Sequence, residues 1–431
     1  MSEYIENGKT IKPSGYTLNS VKIYPGNGDE DFNITQLVAK IHVTESIYRA
    51  SIKVEISILD ASGMYEKLKL SGHEKVTFEM SRNTPTGERQ KYTNTVYVAE
   101  IKDYAKTKGA STYILSCVAE HAYVNQFMTL TKPFANTTAT LIENICTDDL
   151  GVTPFYINKD TQHSIKGVYT RFRPLFAINW LTRNSYDNGS PFYFYQTLKD
   201  GIIFDSYENM LLKDSKGLYK HSMFEKKVVG TEGQFNDELY KVLKLTANMS
   251  MSKYIQGSEG AYASQLHRLN VADKSYTVAS YNYSDDTLKL NPNKPFEDVS
   301  FHDRRIEDYN EAKNHYISYN TGAFDDEFDN YHAPTDATIL QGEAYISNID
   351  TMSIDLVTVG NFDLSCGEKI EVEVINYIDG ERSTYKDKIL SGKYIITSIQ
   401  HVFISPGTYT MNIKCKKDSF LDSMAEILEK E

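Results

Sequence analysis

EKVTFEM occupies residues 74–80, and EKIEVEV, with the same opening pair and the same alternation, occupies residues 368–374. Every second side chain is apolar: Val76, Phe78 and Met80 in the first run, Ile370, Val372 and Val374 in the second. A period of two is the pattern of a strand with one face buried and one face wet. A glycine stands just upstream of each run, Gly72 and Gly367. Tyr97 and Tyr113 follow the first run as Tyr394 and Tyr409 follow the second, at nearly equal spacings. Three elements in one order predict a β-unit that occurs twice, with Val76 equivalent to Ile370 and Tyr113 to Tyr409.

Outward from the first run the pattern continues. In SIKVEISIL (51–59), Ile52, Val54, Ile56 and Ile58 face one way while Lys53, Glu55 and Ser57 face the other. TVYVAEIKDY (95–104) and STYILSCV (111–118) are further strands, set apart by the turn clusters NTPTG and TKGA. Residues 19–125 read as one all-β domain behind an arm of residues 1–18. The character changes over 126–228, an α+β domain. Thr140 and Glu143 have capping-box spacing. RPLFAINWLTRNSY predicts a helix with Phe176, Ile178, Trp180 and Leu181 buried, and Lys199-Asp200-Gly201 signals a hairpin. Residues 251–350 are polar, weakly periodic and loop-rich. The second β-domain comprises 229–250 and 351–418, with YIITSIQHVF (394–403) and TYTMNIKC (408–415) as strands. Residues 419–431 predict a terminal helix with Phe420, Met424 and Ile427 on one apolar stripe, an interface element because so short a helix is marginal alone. The fold class is α+β, mainly β.

Of 431 residues, 46 are Lys or Arg and 58 are Asp or Glu, a formal charge of −12. Such a chain has no net positive field to collect phosphates, which argues against a general nucleic-acid binder. At 40% hydrophobic and 24% charged it has the make-up of a folded protein. No apolar run approaches the ~18 residues of a spanning helix, so no membrane insertion is expected. Cys117, Cys146, Cys366 and Cys415 form no CxxC pair, so reduced, half-buried thiols are expected and a zinc or redox site is not.

No GxSxG, HExxH or P-loop is present. DDEFDNYHAPTD (325–336) spaces acids somewhat like a calcium loop, but Asn330 replaces the turn glycine and Pro334 interrupts it, so a solvated acidic loop is the reading. No catalytic residue, metal ligand or cofactor is assigned. Tyrosine, 32 residues of it, suits large protein interfaces and also sugar stacking. A glycan-binding or cell-wall-hydrolysing protein is therefore the alternative. A unit present twice has a geometric use: three copies of the chain on a three-fold axis present a pseudo-six-fold ring.

TVGNFDLSCGEKIEVEV, followed by SGKYIITSIQHVFISPGTYTMNIKCKKDSF, resembles the central baseplate hub protein of T-even-type contractile-tailed bacteriophages. Gly360, Asn361, Phe362, Leu364, Gly367, Tyr394, Ile399, His401 and Tyr409 carry the likeness. ESIYRASIKVEISILDASGMYEKLKLSGHEKVTFEM and the KPF…LIENI segment at 132–145 are similar too. Late-control tail proteins and type VI secretion spike trimers are more distant likenesses. The resemblance implies two tube-type β-barrel domains per chain and a homotrimer. It also implies a ring joining the hexameric tail tube to the trimeric central spike, among other baseplate proteins. The chain would be a virion component, assembled in the bacterial host cytoplasm. DNA would pass through the ring without specific binding. Glu55, Glu79, Glu371 and Glu373, on the polar faces of their strands, are the expected channel-facing residues.

Overall fold

The computed structural model describes residues 4–6, 9–11, 14–26, 30–83, 89–161, 163–222, 238–248, 253–271, 274–283, 287–293, 300–319, 336–378 and 383–422. The first alternating region forms six long strands. They are β1 (Thr17–Tyr24), β2 (Val38–Ser46), β3 (Lys53–Asp60), β4 (Lys75–Asn83), β5 (Arg89–Thr107) and β6 (Ala110–Ala119). They pair in the order β1-β4-β5-β6-β3-β2, each antiparallel to its neighbour. Val54, Ile56, Val76 and Phe78 are fully buried, so the apolar parity of the sequence is the core face. The set curls back on itself: the Ile34 amide, just ahead of β2, donates to the Val21 carbonyl of β1 at 2.9 Å.

The next segment holds α1 (Thr138–Asn144), β7 (Phe155–Ile157), α2 (Pro174–Arg183), β8 (Ser190–Thr197) and β9 (Gly201–Ser206). The hairpin at Gly201 forms as its sequence signals, with β9 between β8 and β7. Two details differ from expectation. The cap of α1 is Thr137, whose hydroxyl accepts from the Thr140 amide, so Thr140 lies inside the helix. On α2 the buried stripe is Pro174, Ala177, Ile178 and Leu181, a spacing of three and four. Phe176 and Trp180 fall off that stripe and are 56% and 39% exposed.

β10 (Ser215–Ser222) and β11 (Val242–Asn248) open a second set. An insert then brings β12 (Ala263–Asn270), β13 (Tyr276–Asn282) and β14 (Asn314–Tyr319), a sheet with β12 central, followed by α3 (Gly342–Ile349). The set resumes with β15 (Met352–Val359), β16 (Lys369–Ile378), β17 (Gly392–Ile404) and β18 (Thr408–Lys417). Its order is β10-β16-β17-β18-β15-β11, the order of the first set strand for strand. Its ends also meet, the Lys220 amide donating to the Tyr240 carbonyl at 3.0 Å.

The likeness extends to irregularities. A bulge falls between Val98 and Glu100 on β5, and another between Ile396 and Ser398 on β17. A bulge falls between Val38 and Lys40 on β2, and another between Val242 and Lys244 on β11. Bulges fix register because each shifts every later side chain to the other face. The ladders make Val76 equivalent to Ile370, as expected, and Cys117 equivalent to Cys415. They match Tyr113 with Met411 and not with Tyr409, two residues away in the same phase. All four cysteines are buried and unpaired.

The N-terminal arm, where described, is not loose. Ser14 and Tyr16 are buried, the Tyr409 amide donates to the Ser14 carbonyl, and the Tyr16 ring packs edge-on against Phe403. At the other end Phe420 is fully buried and forms a strand-like bridge with Asn293, so the expected helix does not include it. A pair of main-chain bonds to Asn293 fixes it there. Met424 and Ile427, and most of the 325–336 acidic run, lie outside the described residues.

Candidate assembly site at the joint between the two units

β17 is longer than its partner β16, which reaches only Lys369–Val372 on it. The rest of that edge takes β2 of the first unit, from Ser398 opposite Ser46 to Ile404 opposite Lys40. With the short strands Phe32–Asn33 beside β1 and Ser383–Lys386 beside β16, the two units thereby become one sheet of fourteen strands among the described residues.

Glu45 lies in the joint and is only 1% exposed. Alternation puts it on the same parity as Ile41 and Val43, the core face of β2. Its carboxylate accepts from the Leu198 amide at 2.7 Å and the Cys366 amide at 2.8 Å. It therefore ties the first unit to the β8–β9 hairpin and to the loop ahead of β16. His401 Nε2 stands 3.8 Å from it, and His401 Nδ1 is hydrogen-bonded to the Tyr409 hydroxyl at 2.8 Å. Burial holds the Tyr409 phenol far above its usual pKa, so it stays neutral. Arg82, on the core parity of β4, donates to the Gly360 carbonyl. Burial pulls its pKa down.

An aromatic seam runs beside these groups. The Tyr92 ring of β5 lies tilted against Phe362 at 4.4 Å, Phe362 lies 4.9 Å from Tyr409, and Tyr409 stacks on Phe403 at 4.3 Å. Such pairs contribute about 0.5–1.5 kcal/mol each beyond their burial. The seam requires Gly360, because a Cβ there would meet the Tyr409 ring at 2.0 Å. Asn361, Phe362, His401 and Tyr409, singled out by sequence resemblance, thus meet at one place. Glu45 and Arg82 were not singled out, although each is a charge on an apolar parity, which is the signal that finds them.

The four expected channel carboxylates do not gather. Glu79 and Glu373 are equivalent positions on β4 and β16, and Glu371 shares the β16 face. Glu55 is on β3, three strands from β4 in the near-closed set, so it and Glu79 lie on opposite sides of that unit. Each has a lysine neighbour: Lys53 at 2.6 Å from Glu55, Lys91 at 2.9 Å from Glu79, Lys386 at 3.8 Å from Glu373, and Lys393 opposite Glu371. Among the described residues no group of three His, Cys, Asp or Glu side chains could hold a metal ion.

No protein-family model matches the sequence, and no curated protein matches it. Solved structures do match. A tail protein from Neisseria meningitidis MC58 superposes with a TM-score of 0.52 at 10% identity, over 94% of this chain and 97% of that one. The 43 kDa tail protein of prophage MuSo2 from Shewanella oneidensis gives 0.53 at 13% identity, over 93% and 99%. At such identities the likeness is one of fold, and it spans nearly the whole of each molecule. The chain has the fold of phage tail proteins.

Proposed function

We propose that the chain is a structural hub of a phage tail baseplate, a homotrimer whose two units per copy form a pseudo-six-fold ring. The ring joins a hexameric tail tube on one side to a trimeric spike on the other, within the virion. The observation that carries this reading is the duplication: equal strand order and two matching bulges give one chain two nearly interchangeable modules. Three such chains offer six modules to a six-fold partner while keeping three-fold symmetry for the other. The reading assigns the chain no catalytic step. The internal joint supplies rigidity, since its buried polar groups and aromatic seam fix the angle between modules.

The test is the state of the full-length chain in solution. Light scattering is expected to give three times the chain mass, and electron microscopy down the axis a six-lobed ring. A monomer at every concentration, or a particle that cleaves cell-wall glycan, overturns the reading.

A further inference from the structure

Residues 161–186 contain no aspartate or glutamate, in a chain where 58 of 431 residues are acidic. The same stretch carries Lys166, Arg171, Arg173 and Arg183. Its helix, α2, turns Ala177, Ile178 and Leu181 into the core. On the opposite side Phe176, Trp180 and Arg183 follow one another at spacings of four and three, and Arg173 stands just before the first turn. All four are exposed. The result is a stripe with two aromatic rings in the middle and a guanidinium at each end. Ten residues of helix set those ends roughly 15 Å apart.

The two rings have aromatic neighbours. Phe172 packs edge-on against Phe176 at 5.0 Å, and Phe134 lies edge-on to Trp180 at 6.0 Å. Gly167 admits Phe134, because a Cβ there would meet that ring at 2.7 Å. Phe127, 75% exposed, borders the Arg173 end, where Gln126 accepts from the Arg173 guanidinium and Asn125 from the Leu175 amide. Single exposed apolar side chains are ordinary, but neighbouring rings left open together mark a contact surface. Aromatic and arginine side chains are the ones that anchor such contacts. No ion pair among the described residues involves Arg173 or Arg183, so both keep their charge for a partner.

We infer that this stripe docks an acidic segment of a partner protein, with apolar side chains on the rings and carboxylates on Arg173 and Arg183. The inference goes beyond the ring reading above and does not rest on it. Charge selects the occupant. The chain is −12 overall, and the stripe is a local exception. Charges act over about 8 Å at physiological salt, so a short segment meets the arginines and little else. A DNA duplex or an anionic membrane runs on past the stripe over an acidic protein. Two arginines also neutralise fewer phosphates than the roughly 6–10 contacted by a DNA-binding protein.

Trp180 is the only tryptophan of the chain, so its emission reports on this stripe alone. The full-length chain is titrated with a glutamate–leucine copolymer, and in parallel with a lysine–leucine copolymer, polyglutamate, double-stranded DNA and phosphatidylglycerol vesicles. A blue shift that saturates with the glutamate–leucine copolymer and weakens with added salt is expected. Arg173→Ala/Arg183→Ala is expected to weaken that binding about fivefold. Phe176→Ala, which keeps the reporter, is expected to weaken it about tenfold. Urea midpoints stay unchanged in both, because the side chains removed are exposed.

Arg173→Glu/Arg183→Glu keeps both rings and is expected to reverse the preference, from the glutamate–leucine to the lysine–leucine copolymer. No saturating shift with the glutamate–leucine copolymer overturns the docking, as does an equal shift from lysine–leucine or from polyglutamate. A tighter response to DNA or to the vesicles overturns the protein partner in favour of that polyanion. Light scattering separates a second copy: if Phe176→Ala lowers the mass of the particle, the stripe is a contact between copies and the acidic partner falls. A monomer that still binds the copolymer overturns the ring and upholds the stripe.

Discussion

The turn from Ser46 to Lys53 in the first unit is short, whereas the equivalent connection in the second, from Asn248 to Met352, holds a whole sheet and α3. The first strands differ as well: β1 runs antiparallel to β4, but β10 runs parallel to β16. The other five strands keep order and direction, with one matching bulge on β2 and β11 and one on β5 and β17; β5 carries a second, between Lys102 and Ala105 near its end, that β17 lacks. Loop closure costs little per added residue, so connections tolerate such growth. A shifted bulge would turn core side chains to solvent, so the ladders do not. What the two units share is therefore what the joint and the core need, and what differs lies where the chain enters or leaves them.

The sharpest way to break this comparison is at Glu45, whose two bonds fasten the first unit to the β8–β9 hairpin and to the second unit ahead of β16. Glu45→Ala leaves the Leu198 and Cys366 amides buried without their acceptor. The expected loss is about 3–5 kcal/mol, the size seen when a buried charged partner is removed. Urea unfolding would measure it. A loss within 0.5 kcal/mol, about the size of an ordinary surface change, would show that the strand ladder and the aromatic seam hold the joint without Glu45. Glu45→Gln keeps one acceptor oxygen and is expected to recover part of the loss.

A second contrast is Lys417, whose counterpart in the first unit is Ala119. Lys417 is fully buried, donates to the Ile389 and Ser391 carbonyls, and lies under the Tyr394 and Phe420 rings. Burial pulls its pKa down to about 7. Below pH 7 both folded and unfolded chains carry the proton, and the folded state bears the cost of a buried charge. Between pH 7 and about 10.4, the ordinary lysine value, only the unfolded chain holds it, so stability rises with pH. One proton gives a slope of about 1.4 kcal/mol per pH unit. Lys417→Met, which makes this position apolar as in the first unit, is expected to flatten that part of the stability profile. An unchanged slope would mean the ammonium stays charged throughout.

How much of this was legible in the sequence depends on the range of each interaction. Alternation gave the strands and the match of Val76 to Ile370, because core parity is written residue by residue. It missed the match of Tyr113 to Met411, since a slip of two residues keeps every side chain on its face. Phe176 and Trp180 misled because hydrophobicity without its angular position does not define a helix face. The parallel pairing of β10 with β16 and the β17–β2 joint join residues far apart in the chain, and no local pattern encodes them. Glu45, Arg82 and Lys417 could have been found: each breaks an apolar parity that the sequence displays.

The finest contrast is between two carboxylates in one corner. Ser71-Gly72-His73-Glu74 and Ser365-Cys366-Gly367-Glu368 lead into β4 and β16, and in both the serine amide donates to the glutamate three residues on. In both, the glutamate carbonyl accepts from the next strand but one, from Val98 and from Ile396 at 2.9 Å. Burial raises both pKa values, but the balance differs. Glu74 also accepts from the Gly72 and His73 amides, and these bonds hold its pKa below the usual carboxylate value. Glu368 is left with the Ser365 amide and with Lys199 and Lys216 at 3.9 and 3.6 Å, and burial wins, raising its pKa. The signs follow from linkage. Glu74 contributes stability above the unfolded carboxylate value and loses it as pH falls through its folded one. Glu368 costs stability as pH rises from the unfolded value through its raised one. Glu74→Gln is therefore expected to destabilise by about 1 kcal/mol at neutral pH, as for the loss of a modest hydrogen bond, with the gap closing in acid. Glu368→Gln is expected to be neutral or slightly stabilising at neutral pH, its gap also closing in acid. Urea midpoints of both variants across pH 3–8 decide it; gaps of the same sign would mean that the shared corner geometry, and not the number of backbone donors, sets how each carboxylate ionises.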